Sequence, residues 1–567
     1  MSEDQDPAAE PEPEPNQEPD SPEPDSPEPN TPQPDTPQPD TPQPDTPPLG
    51  QDPTPETPFA PPGASLQTST GDLVHKEWFS AETPELESRA LRGGGLNLAV
   101  QIVRIVVELG SLPILARLLL PADFGAVAQA TAVTGFLVLF KDLGLSVATV
   151  QRKEITHGQV SALFWLNLLL GLLVAALVAG SAPGLVWLYG GDVRPGQVAL
   201  ALAGVVLFDA AAAQHLALLR RRLRFGWLAA IQFAGVVGGI AAALVAAWAG
   251  WGFWALILRA AVTAVLTLGL AWVACSWRPG AFRRAQVSLD MLRFGGYVTG
   301  IDIVAHLTKN VDNVLIGRTW GASALGLYTK AYSLLMLPLS TINGPLAAVA
   351  LPALSRVQDQ PQAYRSLFLR GCRLAVLAQV PIVTLAGVCT LDLVAVGLGD
   401  QWLGAVELFW ALLPAAYVGA TAPATSWIFV SSGHPKRQLK ASVAALPVVL
   451  IAFLVGLPYG PLGVAWGYSI ALCLVRVPTI LYAFQPTAIR LRDLAFVLAR
   501  PATGSALAAG AVFGLRQAEL LAPGLGRLLL EIALFGLVYA GAMAGLPGGA
   551  AYRAELSAAW NLMRRRG

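Results

Sequence analysis

The sequence predicts an all-α polytopic membrane protein. It would have about 14 transmembrane helices, with two parallel six-helix lobes around a central cavity and two appended helices. Three observations carry this. Of 567 residues, 54% are hydrophobic and only 13% charged, about half the charge of an average soluble domain. From Gly93 onward the chain divides into fourteen apolar segments, each near the ~20 residues a bilayer crossing needs. A shift of 201 residues lays the first crossing over the seventh, as a duplicated half would.

Residues 1–63 precede the membrane region. They hold sixteen Asp and Glu and no Lys or Arg, and TPQPD repeats three times between Thr31 and Asp45. Such composition cannot bury a core, so a disordered acidic tail with polyproline character is expected. It lacks the basic and apolar regions of a signal peptide. Residues 64–91 form a lead-in segment.

The expected segments are 94–116, 125–148, 160–181, 197–219, 227–248, 253–275, 294–316, 327–353, 374–394, 405–430, 439–457, 461–484, 496–515 and 526–546. One set of loops carries eighteen Lys and Arg, among them Arg220, Arg221, Arg222 and Arg224. The alternating set carries five: Arg117, Arg194, Arg318, Arg516 and Arg527. The bias places the first set, and both termini, in the cytoplasm. Four scattered cysteines show no zinc or redox spacing.

Under the 201-residue shift, Ile102-Val103 meets Ile303-Val304, Ala116-Arg117 meets Gly317-Arg318, and Phe124-Gly125 meets Leu325-Gly326. The register holds without a gap for about 34 residues. The chain therefore divides into an N-terminal lobe, 92–292, a C-terminal lobe, 293–485, and a region of two further helices and a basic tail, 486–567. Parallel repeats are a known transporter plan, with substrate held at their interface.

The candidate site is a set of polar residues inside apolar crossings. Segment 1 presents Asn97, Gln101, Arg104, Glu108 and Ser111 within roughly 80° on one face. Segment 7 presents Asp302, His306, Lys309 and Asn313 within about 60°, with Asp312 alongside. The shift matches Gln101 with Asp302 and Glu108 with Lys309, so opposite charges would face each other across a two-fold axis. Segment 2 adds Lys141 and Asp142, and segment 8 opens with Tyr328, Lys330 and Tyr332. Asn343-Gly344-Pro345 is expected to break or kink segment 8. Charges at membrane depth cost about 2.5–3.5 kcal/mol each and by default line a cavity or pair. For the isolated Asp209, His215, Arg259, Asp392 and Arg476, a local ion pair or snorkelling is the better reading.

The cations suit phosphate or diphosphate. The acids and amides suit sugar hydroxyls or a coupling ion, H⁺ or Na⁺; no other cofactor is expected. The chain has no G-x4-G-K-[ST] loop, and its only D-x-D, Asp4 to Asp6, lies in the tail. Nucleotide hydrolysis and metal-dependent glycosyl transfer therefore find no support.

Two long runs carry a resemblance. They are LARLLLPADFGAVAQATAVTGFLVLFKDLGLSVATVQRKEITHGQVSALFWLN (Leu115 to Asn167) and DNVLIGRTWGASALGLYTKAYSLLMLPLSTINGPLAAVALPALSR (Asp312 to Arg356). DQWLGAVELFW (Asp400 to Trp410) and PYGPLGVAWGYSIA (Pro458 to Ala471) agree. Over about residues 88–485 the chain resembles the polysaccharide flippases of the multidrug/oligosaccharidyl-lipid/polysaccharide (MOP) superfamily, of the Wzx type that exports colanic acid and lipopolysaccharide. The resemblance implies a MATE/MOP-like fold and a cavity lined by helices 1, 2, 7 and 8. It implies a non-enzymatic, ion-coupled flippase moving a lipid diphosphate-linked oligosaccharide across the cytoplasmic (inner) membrane by alternating access. Membrane lipids and a polysaccharide polymerase or export machinery are the implied partners, and no nucleic acid. An ion-coupled drug antiporter of the same superfamily is the alternative. A membrane polymerase would need a large extracytoplasmic loop, and these loops are short.

Overall fold

The computed structural model describes residues 86–151, 155–282, 303, 306–421, 423–519 and 522–546. The acidic tail, the lead-in segment through residue 85 and Asp302 lie outside this set. Among the described residues all regular structure is helical. In hydrocarbon a helix satisfies its own backbone, whereas an open sheet edge cannot.

The long helices are α1 (Leu86–Leu118), α2 (Pro121–Val138), α3 (His157–Gly180), α4 (Val193–Arg221), α5 (Phe225–Trp248) and α6 (Trp254–Ala274). They continue with α7 (306–319). Then come α8 (Gly321–Arg356), α9 (Pro361–Val388), α10 (Ala405–Ala420), α11 (Pro435–Gly456), α12 (Gly460–Phe484), α13 (Leu491–Gln517) and α14 (Leu525–Gly545). One falls on each expected segment. Eleven described stretches are long and apolar enough to cross a membrane, one of which, Lys436–Phe484, holds both α11 and α12.

Local chemistry fixes the ends. The Thr156 hydroxyl accepts from the Gln159 amide, and the Gln159 side chain accepts from the Thr156 amide, so the two cap α3 reciprocally. Asp192 caps α4 by accepting from the Arg194 amide at 3.0 Å. Two expectations change. The tenth segment is divided into α10 and a short helix, Pro423–Ser431, with proline opening the second piece. The break expected at Asn343-Gly344-Pro345 is absent, because α8 runs as one helix through Pro338, Pro345 and Pro352. Proline is tolerated in membrane helices that neighbours hold in place. Here Gln379 of α9 donates to the Asn343 side-chain oxygen at 2.7 Å.

The two halves repeat one packing scheme. In the first, α4 packs on α2, α3 and α6, and α5 on α6. In the second, α10 packs on α8, α9 and α12, and α11 on α12. The halves meet chiefly where α2 crosses α8, and α13 and α14 pack on each other and on α9. Each half has its own apolar core, one around Phe164 and Trp277, the other around Phe409 and Phe453. A smaller core joins Ala116 of α1 to Trp402 and Val406 of the second half. The perimeter exposes large apolar side chains such as Trp248, Phe496 and Trp187, as a surface facing lipid does.

Candidate functional site

At the end of the bundle where α1 finishes and α2 begins, the halves are locked together. A Cβ on Gly125 would lie 1.7 Å from the Ala322 carbonyl oxygen of α8, and one on Gly326 would lie 1.9 Å from the Pro121 carbonyl oxygen of α2. Only glycine permits this backbone approach. Pro121 and Ala322 are themselves 201 positions apart, as are Gly125 and Gly326. The crossing thus has two-fold symmetry.

Hydrogen bonds seal the same end. Gln129 of α2, fully buried, donates to the Gly317 carbonyl at 3.0 Å. The equivalent carbonyl on α1, Ala116, accepts from the indole of Trp402 at 2.8 Å and from Gln401, which also reaches Leu119 at 3.1 Å. Arg117 donates to the Val396 carbonyl. Lys330 of α8 is buried, with its ammonium 3.6 Å from the Phe124 ring centre and 5.6 Å from that of Trp402. The two rings stack edge to face at 5.4 Å. Both halves thus contribute the contacts that close this end of the bundle, as a gate would.

Along α1, away from the gate, Gln101, Arg104, Ile105 and Glu108 line a cavity of about 280 Å³. Its opposite wall is α8, through Leu337, Ser340, Thr341, Gly344 and Pro345. Glu108 precedes Arg117 by nine residues, roughly 14 Å of helix. The Arg104 Nε lies 3.7 Å from a Glu108 carboxylate oxygen, each side chain a little over a quarter exposed. That Nε has no hydrogen-bond partner among the described residues, and at 3.7 Å with both side chains partly open to solvent the pair is weakly held. The cavity therefore offers a cation, a carboxylate, an amide and two hydroxyls on facing walls.

Of the residues expected at the site, Gln101, Arg104 and Glu108 are brought together here. Asn97 lies one turn earlier on α1, where only the backbone is described. Lys141 pairs with Asp209 of α4 at 2.7 Å. Asp142 accepts from Ser146 at 2.8 Å and from Asn167 of α3 at 3.0 Å. Both therefore bind the first half together. On α7, His306 reaches the Ala132 carbonyl of α2 at 3.2 Å, and its ring fills the space a Cβ on Gly135 would take. Buried Asp312 accepts from the Tyr328 hydroxyl at 2.7 Å and from the Asn313 amide at 2.8 Å. Asn313 in turn donates to Asn310 at 3.3 Å. Lys309 is exposed and makes no ion pair among the described residues. Lys330 belongs to the gate. Sequence reasoning missed Ser340 and Thr341 as a cavity wall, and Gln401 and Trp402 as gate residues. The last two sit on a single 3₁₀ turn, Asp400–Trp402, too short for periodicity to expose them.

Asp209 and Asp392 have the local ion partners expected of them. Arg476 donates to the Thr421 and Thr425 hydroxyls, and His215 stacks on Trp272 at 4.5 Å.

Comparison with known proteins agrees with this geometry. The chain is 24% identical over 429 residues to the lipopolysaccharide biosynthesis protein WzxC of Escherichia coli K12, covering 74% of this chain and 83% of that protein. It is 26% identical over 335 residues to the teichuronic acid biosynthesis protein TuaB of Bacillus subtilis 168, covering 57% and 68%. Among solved structures it resembles the lipid II flippase MurJ in an inward closed conformation, with a TM-score of 0.64 at 13% identity over 79% of this chain and 98% of that one. It also resembles an inward-facing multidrug resistance MATE transporter of the MOP superfamily, with a TM-score of 0.52 at 14% identity over 71% and 98%. At such identities the likeness establishes the fold. The family model described as polysaccharide biosynthesis protein matches residues 114–407. The chain belongs to that polysaccharide biosynthesis family, as a multi-pass membrane protein with the MOP-superfamily fold.

Proposed function

We propose that this protein flips a lipid diphosphate-linked oligosaccharide from the cytoplasmic to the outer leaflet of the inner membrane, by alternating access. The observation that carries the reading is a polar cavity between the halves, behind a gate closed at one end only by contacts between those halves. The loops at the gate end carry few cations and those at the other end carry many, which supports a gate at the outer face with both termini inside. The state described is then one closed to the outside. The names of WzxC and of the succinoglycan biosynthesis transport protein ExoT, 24% identical over 328 residues, support surface polysaccharide as the pathway.

In this mechanism Arg104 and Lys309 hold the diphosphate, Glu108 and the α8 hydroxyls hold sugar or a coupling ion, and the gate parts as the halves rock. Residues at the repeat interface then do the work without bond-making chemistry. A polymerase acting at the outer face is the expected next partner. The test is a deletion strain lacking any redundant exporter. Lipid-linked oligosaccharide should accumulate on the cytoplasmic leaflet, and polymerisation outside at normal rates would refute the reading.

A further inference from the structure

At the end of the bundle opposite the gate, α9 and α13 begin side by side over a pocket of about 810 Å³. Arg365 and Arg373 of α9, with Arg490 and Arg492 at the start of α13, line it; Asp493 is its one acid. Asp493 is already occupied. It accepts two bonds from Arg365, at 2.7 and 3.0 Å, and a third from the Arg490 amide at 3.0 Å. Those contacts hold Asp493 as a fixed strut, and Arg490 and Arg492 remain exposed at the rim.

The rest of the pocket is apolar. Leu369, Ile489 and Val497 form its floor, and Phe496, 80% exposed, projects beside the arginines. An exposed phenylalanine one turn from a ring of cations is ill suited to a soluble anion. It suits a molecule with a charged head and an oily body. The pocket's arginines match phosphate oxygens in geometry as well as charge.

We infer that this α9–α13 pocket binds the phosphate headgroup of an anionic lipid at the cytoplasmic interface, with Arg490 and Arg492 as the phosphate contacts and Phe496 against the acyl or prenyl chain. The chemistry fits two sources, a bilayer phospholipid or the polyprenyl diphosphate carrier of the proposed cargo. Only the cytoplasmic placement rests on the orientation proposed above. The pocket and its charge do not depend on transport.

Native mass spectrometry of the purified full chain tests this, with cardiolipin, zwitterionic phosphatidylethanolamine and undecaprenyl diphosphate titrated separately. Each interfacial arginine contributes about fivefold in affinity, so Arg490→Gln with Arg492→Gln should weaken anionic-lipid binding roughly thirtyfold. Phosphatidylethanolamine binding should not change. If cardiolipin is the ligand weakened, the source is the bilayer; if only undecaprenyl diphosphate is weakened, the source is the carrier. Equal binding of both anionic lipids by wild type and double variant overturns the inference. So does an equal loss in Arg194→Gln, at the far end of the bundle beside Asp192, which leaves this pocket intact. None of these readouts uses flipping, so failure of the transport reading would register separately.

Discussion

Gly125 and Gly326 stand 201 residues apart, and each lies against the backbone carbonyl four residues before the other, Ala322 and Pro121. Two helices cross here at backbone contact, so the crossing tolerates no side chain. Gly326→Ala would place a methyl 1.9 Å from the Pro121 oxygen, and only separation of α2 from α8 relieves that. The variant should insert normally yet rest open to the outside and lose export. Gly204→Ala, outside the cavity and with nothing within 4 Å of its added Cβ, should export at wild-type rates. Outside labelling of a Ser340→Cys reporter by an impermeant thiol reagent reads the gate directly. Unchanged labelling in Gly326→Ala would show that this contact does not control closure.

Phe124 and Lys330 hold the same gate by a different means. A buried ammonium without a carboxylate is costly, and here two aromatic faces compensate it. A desolvated cation–π contact is worth about 2 kcal/mol, roughly a thirtyfold change in the closed-to-open ratio. Phe124→Leu should therefore raise outside labelling of the Ser340→Cys reporter by about that factor. Phe124→Leu with Lys330→Met should recover much of it, because the stranded charge is gone. A double-mutant cycle with no coupling between the two would remove the cation–π account.

The cavity cation Arg104 and the exposed Lys309 of α7 answer to transport itself. Arg104→Ala or Lys309→Ala removes a charge-assisted contact to diphosphate, worth about 1.5–3 kcal/mol. Each should lower export roughly ten- to hundredfold at normal membrane abundance. The Arg104–Glu108 contact within α1 makes a sharper arm. The exchange Arg104→Glu with Glu108→Arg keeps the pair but moves the cation one turn toward the gate. If the pair is only structural, the exchanged protein exports normally. If Arg104 holds cargo, it does not, and an export assay on intact cells separates the two.

Much of this was legible in the sequence. The 201-residue offset paired Phe124-Gly125 with Leu325-Gly326 as part of a duplicated half, and these two glycines meet at the crossing. The 3.6-residue periodicity put Gln101, Arg104 and Glu108 on one face of α1, and in the structure these three line one cavity. What periodicity cannot fix is the rotation of one helix against another. It suggested that Lys309 faces Glu108, whereas Glu108 lies beside Arg104 and looks across to Ser340 and Thr341 of α8. His306 shows the cause, since the polar face of α7 is partly used against α2. Lys330 read as a cavity cation because nothing local reveals that Phe124 and Trp402, from distant parts of the chain, close over it.

The appended helices are fastened by a buried charge network. Asp392, on the short helix Thr390–Gly397 after α9, accepts from Arg516 of α13 at 2.8 Å and from Arg527 of α14 at 2.7 Å. Glu531 of α14 accepts from Arg516 at 2.7 Å, and both carboxylates are essentially inaccessible. Two cations and two anions balance, so removing one member leaves an uncompensated buried charge, which costs about 3–5 kcal/mol. Asp392→Ala should therefore lower the thermal unfolding midpoint of the purified protein markedly. Arg194→Ala, removing a partly exposed pair with Asp192 at 2.7 Å, should shift it by no more than about 1 kcal/mol equivalent. If α13 and α14 only decorate the bundle, Asp392→Ala will lose midpoint but keep full export at permissive temperature. If they steer the second half as it moves, export will fall before the protein unfolds, and measuring both on one variant decides between them.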